Sequence, residues 1–275
     1  MTINTLLRKV NQNKKFNINT YDFFKPTFNV KLAESRGEIK LAQKLRYKVF
    51  FSERIKNPIL NIGNFRRDSD KFDNYADHII VNHRKSKFSK TKVIGTYRLL
   101  KQSVAEKKSG FYSCDEFNLE NLLNSRIYNN MLELSRSCIS QKFRNKNVLQ
   151  LMWKEIHHYI NKNNIDALFG TASFLSTNVS KIEDQLIYLN HHHKMPDNIT
   201  VSALPKYRVN IDYQKKINLN IRLFAKLPTL IKAYLKFNAS IGTGAVIDNK
   251  FKTTDVFIFL PIEKINKEYV NKILD

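Results

Sequence analysis

The 275-residue chain is short of several things, and each shortage excludes something. It has 2 cysteines, Cys114 and Cys138, and no Cys-x-x-Cys pair, which excludes a disulfide framework or cysteine-based zinc site; both thiols are expected to be reduced. With 7 Gly and 6 Pro it has no stretch that reads as a flexible linker, and no internal repeat is visible. No apolar run nears the roughly 18 residues that cross a bilayer, and the N-terminus lacks the apolar stretch of a secretory signal. The chain therefore reads as soluble or peripheral, and cytoplasmic. Acidic residues are scarce: 24 Asp and Glu stand against 47 Lys and Arg, a net charge of +23. On composition alone this surplus suits a polyanion, whether nucleic acid, an anionic membrane face or an acidic protein. What is present suffices for a packed core, since 42 % hydrophobic and 12 % aromatic residues exclude a disordered basic tail.

Patterning divides the chain into residues 1–27 and 28–275. In the first part Ile3, Leu6, Leu7 and Val10 recur at helical spacing among Arg8, Lys9, Lys14 and Lys15, a short basic amphipathic helix. Its two readings are contact with an anionic membrane through Leu6, Leu7, Arg8 and Lys9, or cover for the domain's own core. In the second part an extended run at Phe28, Val30 and Leu32 precedes a capping box, Ser35 to Glu38. A helix to about Phe50 should follow, with Ile39, Ala42, Leu45 and Val49 inward. Strands are expected at 79–81, 93–100, 131–139, 167–171, 245–247 and 256–260. Helices are expected at 148–160, after Thr177, and from Pro228 to about Phe237. Interleaved in this way they make a mixed-sheet α/β or α+β domain.

Three clusters carry charge where it is costly. Asp68, Asp70, Asp73 and Asp77 crowd ten residues, either as a cradle for a cationic group or as counterions for nearby Arg in a solvated turn. They lack the Gly and terminal carboxylate of a calcium loop. In Glu133-Leu-Ser-Arg-Ser-Cys138, strand alternation puts Glu133, Ser135 and Ser137 on one face, with Arg136 and Cys138 on the other. Arg98 lies in the apolar strand Gly95 to Leu100. These groups either satisfy one another or surround a small zwitterion. His191-His-His193, in a polar segment after a helix, splays its rings and is not read as a metal site. No phosphate loop, Rossmann fingerprint or Gly-x-Ser-x-Gly elbow is present.

The ordered series Leu45-Arg-Tyr-Lys-Val-Phe50, Asp68-x-Asp-x-Phe-Asp73, Gly95-Thr-Tyr-Arg-Leu-Leu100, Phe111-Tyr-Ser113, Glu133-Leu-Ser-Arg-Ser-Cys138, Phe169-Gly-Thr-Ala-Ser-Phe174, Leu227-Pro and Asp255-Val-Phe257 resembles the ornithine-lipid-forming N-acyltransferases. These transfer a 3-hydroxyacyl chain from acyl carrier protein to the α-amine of ornithine. They are similar in turn to the acyl-homoserine-lactone synthases, and both share the N-acetyltransferase-like (GNAT) fold, a mixed, splayed sheet flanked by helices. The sequence departs from the pattern at Ala76, commonly Cys, and at Asp248-Asn-Lys-Phe251, commonly Asp-Pro-x-Phe.

The resemblance implies a substrate site lined by Arg46, Phe50, Asp68, Asp70, Asp73, Arg98, Ser135, Arg136 and Ser173. In it Arg98 or Arg136 would suit the acceptor carboxylate, and the Asp pair the ornithine side-chain ammonium. Amide formation needs a neutral amine, so Glu133 is expected as the base, directly or through water; burial would raise its pKa and a salt bridge to Arg136 would lower it. The segment Ser140 to Asn147 has no Gly where the coenzyme A branch cradles a diphosphate. That fits phosphopantetheine on acyl carrier protein as donor, with Lys142, Arg144 and Lys146 as docking residues, and no tightly bound cofactor or metal. The alternatives are another acceptor (glycine, glutamine or lysine), a homoserine-lactone synthase, or a nucleic-acid-binding protein. The last is disfavoured because the basic residues are dispersed and charges sit inside strands.

Overall fold

The computed structural model describes residues 26–54, 66–144, 146–218 and 221–274. The expected N-terminal helix, with Leu6, Leu7, Arg8 and Lys9, lies outside the described residues. Ten strands follow in order: β1 Thr27–Leu32, β2 Asp77–Arg84, β3 Lys92–Lys101, β4 Phe117–Asn118, β5 Met131–Ile139, β6 Ala167–Phe174, β7 Ser202–Ala203, β8 Ser240–Ile241, β9 Val246–Asp248 and β10 Thr253–Pro261. The main helices are α1 Arg36–Phe50, α2 Lys146–Asn163, α3 Glu183–His193, α4 Ile221–Lys226, α5 Thr229–Lys236 and α6 Lys267–Leu274. One sheet runs β1-β2-β3-β5-β6-β10-β8 with β9 also on β10, while β4 and β7 pair separately. No helix among the described residues is long and apolar enough to cross a membrane.

Local chemistry explains most of these elements. Ser35 caps α1 by accepting from the Glu38 N–H at 3.2 Å, but the Glu38 carboxylate takes the N–H of Glu34, not of Ser35. The inward stripe of α1 contains Ala42 and Leu45 as expected, and also buries Gln43 and Arg46. An apolar-only stripe would have left those two exposed. The three histidines fall inside the last turn of α3, because nothing between Leu186 and His193 breaks the helix, and His192 packs on Tyr188 at 4.6 Å.

Two features of the sheet shape the site. First, β5 and β6, the parallel pair, are joined only where Met131 to Glu133 face Ala167 to Phe169. Beyond that both strands continue but part, and each leaves one edge without a ladder partner. Gly170 sits at the parting, where a Cβ would come within 2.1 Å of the Leu134 carbonyl oxygen. Second, the β3–β5 ladder pairs Arg98 with Ser135 and Thr96 with Cys138, so β5 bulges at 136–137. Arg136 takes φ +56° there.

Each face of the sheet carries its own core. On one face Leu99, Leu132 and Leu134 pack with Met152, Trp153 and Ile156 of α2 and with Ile231 and Tyr234 of α5. On the other, Phe72, Leu100, Phe111, Phe117, Phe169 and Phe257 cluster. By strand alternation, Arg98, Glu133 and Ser135 belong to the second face. Gly170→Ala should therefore cost about 2–3 kcal/mol by overpacking. Gly37→Ala, whose Cβ would have only Ser35 Oγ for company at 3.6 Å, should stabilise α1 by up to about 1 kcal/mol. Urea unfolding of the two variants measures both, and equal effects would contradict the tight strand approach.

Candidate active site

The second face holds an interlocked set of buried charges. Arg46 of α1 forms a two-pronged pair with Asp73, Nη1 to Oδ1 at 2.7 Å and Nη2 to Oδ2 at 2.8 Å. Its Nε donates to Asp68 Oδ2 at 2.9 Å and its Nη2 to the Asp68 carbonyl at 2.5 Å. Arg98 of β3 donates through Nη1 to Asp70 at 2.5 Å and to Asp73 at 3.2 Å, and through Nε to Ser135 Oγ at 2.9 Å. Arg136 donates to Asp70 at 3.0 Å and stands 3.2 Å from Asp68. Three guanidiniums thus meet three carboxylates. Asp70 and Asp73 also close a capping box on the 71–74 turn, which the acidic run of the sequence concealed.

The network sets its members' protonation. Burial pushes the Asp73 carboxyl up, but Arg46 and Arg98 outweigh it and hold the group well below the usual carboxylate range. Asp70 is lowered in the same way by Arg98 and Arg136 against its own burial. His78 is buried with neither ring nitrogen hydrogen-bonded among the described residues, its Nε2 standing 3.8 Å from Asp73 Oδ1, and burial brings it down to about 4, so it is neutral at pH 7. Arg98 keeps one group in reserve: its Nη2 is buried with no hydrogen-bond partner among the described residues.

The bulge overturns the expected facing of β5. Cys138 returns to the Glu133 and Ser135 face because two residues oppose one at 136–137, and Arg136 reaches Asp68 and Asp70 from that same face. No ion pair joins Glu133 to Arg136. Glu133 is fully buried and accepts from Tyr112 N–H at 2.9 Å, Ser113 N–H at 2.7 Å and Ser113 Oγ at 2.6 Å. Burial raises its pKa although those donors oppose the rise. Its visible task is to anchor the 112–115 turn, whose Tyr112 ring then lies 4.4 Å from the Arg136 guanidinium.

The remaining predicted residues divide. Phe50 packs edge-on against Phe251 at 5.4 Å, and the Phe251 ring also lies 4.7 Å from the Arg136 guanidinium. Ser173 pairs with Asp255 across β6 and β10. Lys142 is exposed on the turn after β5, whereas Arg144 is tied to the Ile139 carbonyl and to Glu53. The side chain of Lys146 lies outside the described residues. Burial pushes the Cys138 thiol far up, which disfavours it as a nucleophile.

Sequence reasoning missed one group altogether. Glu116, Asp248 and Asp255 bring one carboxylate oxygen each within 4.8 Å of one another. Burial, then Asp255 and Asp248, push Glu116 up to about 8; burial, helped by Asp248, pushes Asp255 up to about 6. Glu116 is far from the other two in sequence, and although Asp248 and Asp255 each lay in a motif, nothing in the sequence joined them to it.

A model of the acetyltransferase (GNAT) domain matches residues 45–154. A CoA-dependent acyl-homoserine lactone synthase structure overlays with TM-score 0.45 at 11 % identity, covering 90 % of this chain and 88 % of that one. The matched domain and the splayed mixed sheet define an acyltransferase of the N-acetyltransferase-like class. Among curated proteins, an L-ornithine N(alpha)-acyltransferase of Brucella abortus is 39 % identical over 248 residues, 89 % of this chain and 88 % of the relative. One from Rhizobium meliloti is 38 % identical over 243 residues, 88 % of this chain and 82 % of the relative. The chain belongs to the L-ornithine N(alpha)-acyltransferase family.

Asp73→Asn should cost about 3–5 kcal/mol in urea unfolding, because it leaves buried guanidinium charge uncompensated. Stability should also fall as pH drops. His78 has a folded pKa below its unfolded value of 6.5, so the unfolded chain takes up the proton first and native stability is lost between about pH 6.5 and 4. Replacing this ring in His78→Met should flatten that part of the thermal-stability profile; an unchanged slope would assign it elsewhere.

Proposed function

We propose that this chain transfers a 3-hydroxyacyl group from the phosphopantetheine thioester of acyl carrier protein to the α-amine of L-ornithine, forming lyso-ornithine lipid. The observation that carries the reading is the family match along almost the whole chain, to relatives named for acyl transfer to ornithine's α-nitrogen. The geometry is compatible with that chemistry. The α-ammonium first loses one proton; the neutral nitrogen then attacks the thioester carbon, the C–S bond breaks, and the thiolate leaves with the second proton the nitrogen gives up. The parting of β5 and β6 leaves strand-edge backbone groups beyond Leu134 and Gly170 free to receive an extended thioester arm and its developing oxyanion. The free Nη2 of Arg98 suits the acceptor carboxylate.

An acidic carrier protein fits a chain of net charge +23, and exposed Lys142 lies on the turn that follows β5. A lipid-like product favours work near an anionic membrane surface, which makes peripheral association at the cytoplasmic face part of the proposal. Glu133 is given a positioning role in place of the base expected from the sequence, since its oxygens already serve the Tyr112–Ser113 turn. The first proton of the α-ammonium, the one lost before attack, then passes to water and not to Glu133.

Purified protein incubated with 3-hydroxyacyl carrier protein and ornithine, lysine, glutamine or glycine should yield α-N-acylornithine by mass spectrometry, favoured at least tenfold over the others. No product with any acceptor would overturn the reading. In Glu133→Gln, kcat should fall more than tenfold while the ornithine KM stays within about threefold and the pH–rate profile keeps its shape. Loss of the acidic limb of that profile would restore Glu133 as the base.

A further inference from the structure

The acidic group that sequence reasoning missed stands on the same sheet face as the charge network, and its partners are not accounted for. Asp255 of β10 is 5 % exposed, and its Oδ1 has no hydrogen-bond partner among the described residues. Glu116 Oε2 is likewise buried and unpartnered. Asp248 uses one oxygen to accept the N–H groups of Lys250 and Phe251, at 2.7 and 3.0 Å, which fixes the carboxylate and leaves the other oxygen to the cluster. The charged neighbours are Asp115 on the 112–115 turn and Arg136 from the bulge, the latter held between the Tyr112 and Phe251 rings.

We infer that Glu116, Asp248 and Asp255 form the subsite for the side-chain ammonium of the acceptor amino acid. The inference deepens the ornithine reading above and rests on it. Asp68, Asp70 and Asp73 cannot serve, because Arg46, Arg98 and Arg136 already engage them. Glu133 is taken by the Tyr112–Ser113 turn, so among the described residues this cluster is the acidic group on the face that is held neither by guanidiniums nor by that turn. The cluster can take an ammonium: three acceptors about 2.8 Å from one tetrahedral nitrogen stand roughly 4.6 Å apart, and the three carboxylate oxygens lie within 4.8 Å of one another.

Its position suits the cleft as well. Asp255 is paired with Ser173, on the stretch of β6 beyond Gly170 that has lost its β5 partner, and Glu116 reaches the surface at the rim. Carboxylates stabilise the charged form of an amine among them. That would suppress a nucleophile, but it is what a non-reacting cation requires. The nitrogen held here is therefore the side-chain one, and the α-nitrogen is left for the thioester.

The test compares ornithine with norvaline, which has the same carbon chain without the second amine, for wild type, Asp255→Asn and Glu116→Gln. Wild type should prefer ornithine in kcat/KM by at least thirtyfold. In both variants the ornithine KM should rise at least tenfold, the carrier-protein KM should stay within twofold, and the preference over norvaline should fall below fivefold. Thermal unfolding checks folding, and Glu116→Gln, at the partly exposed rim, answers the question if Asp255→Asn does not fold. Variants that keep wild-type discrimination overturn the subsite alone, whereas a wild type that acylates neither amino acid overturns the ornithine reading itself. Loss of wild-type activity in EDTA, restored by a divalent cation, would make the cluster a metal site and also overturn the proposal.

Discussion

The pairing of Arg46, Arg98 and Arg136 with Asp68, Asp70 and Asp73 is the constraint on which this face of the protein depends. It ties α1, the 71–74 turn, β3 and β5 into one body through contacts of 2.5 to 3.2 Å. Buried ion pairs add little net stability against apolar packing of equal volume, since desolvation offsets their attraction. What they supply is geometry. Apart from the free Nη2 of Arg98, these charges are held by named partners, so α1 cannot slide on the sheet without stranding the Arg46 charge.

Two further features take their meaning from that frame. The bulge brings the Arg136 guanidinium onto the face of Glu133, where it engages Asp68 and Asp70, while Glu133 anchors the turn that carries Tyr112 and Ser113. The parting of β5 from β6 opens the sheet beside this frame, with Gly170 permitting the close approach just before it. A cleft between strands, flanked by a rigid charged wall and a cluster of under-satisfied carboxylates, suits a reaction between an extended thioester and a small cationic amine. The +23 charge that first suggested nucleic acid becomes the exterior of an acyltransferase.

Much of this was legible in the sequence, and the failures have physical causes. The strands at 79–81, 93–100 and 131–139 were evident from apolar runs, and α1 from its cap and spacing. Arg46, Asp70, Asp73, Arg98 and Arg136 do come together. Which of them binds substrate was not legible, because mutual neutralisation depends on contacts between residues 22 to 66 apart. The facing of Arg136 was misread because alternation assumes an unbroken ladder, and a single-residue bulge inverts every later position. The cluster of Glu116, Asp248 and Asp255 escaped because its members come from a turn and two strands, and only the fold brings Glu116 to the two aspartates.

The central claim is that the sequence's aspartate cluster is scaffold and that the acceptor's cationic end is held by other carboxylates. It is tested most directly by a crystal structure with ornithine and an acyl-phosphopantetheine in which the thioester is replaced by a non-transferable linkage. The account predicts the side-chain nitrogen among Glu116, Asp248 and Asp255, the α-nitrogen facing the acyl carbon in the β5–β6 cleft, and the Arg46–Asp73 pair intact. Ornithine's side-chain nitrogen on Asp70 or Asp73, with Arg46 or Arg98 displaced, would contradict it.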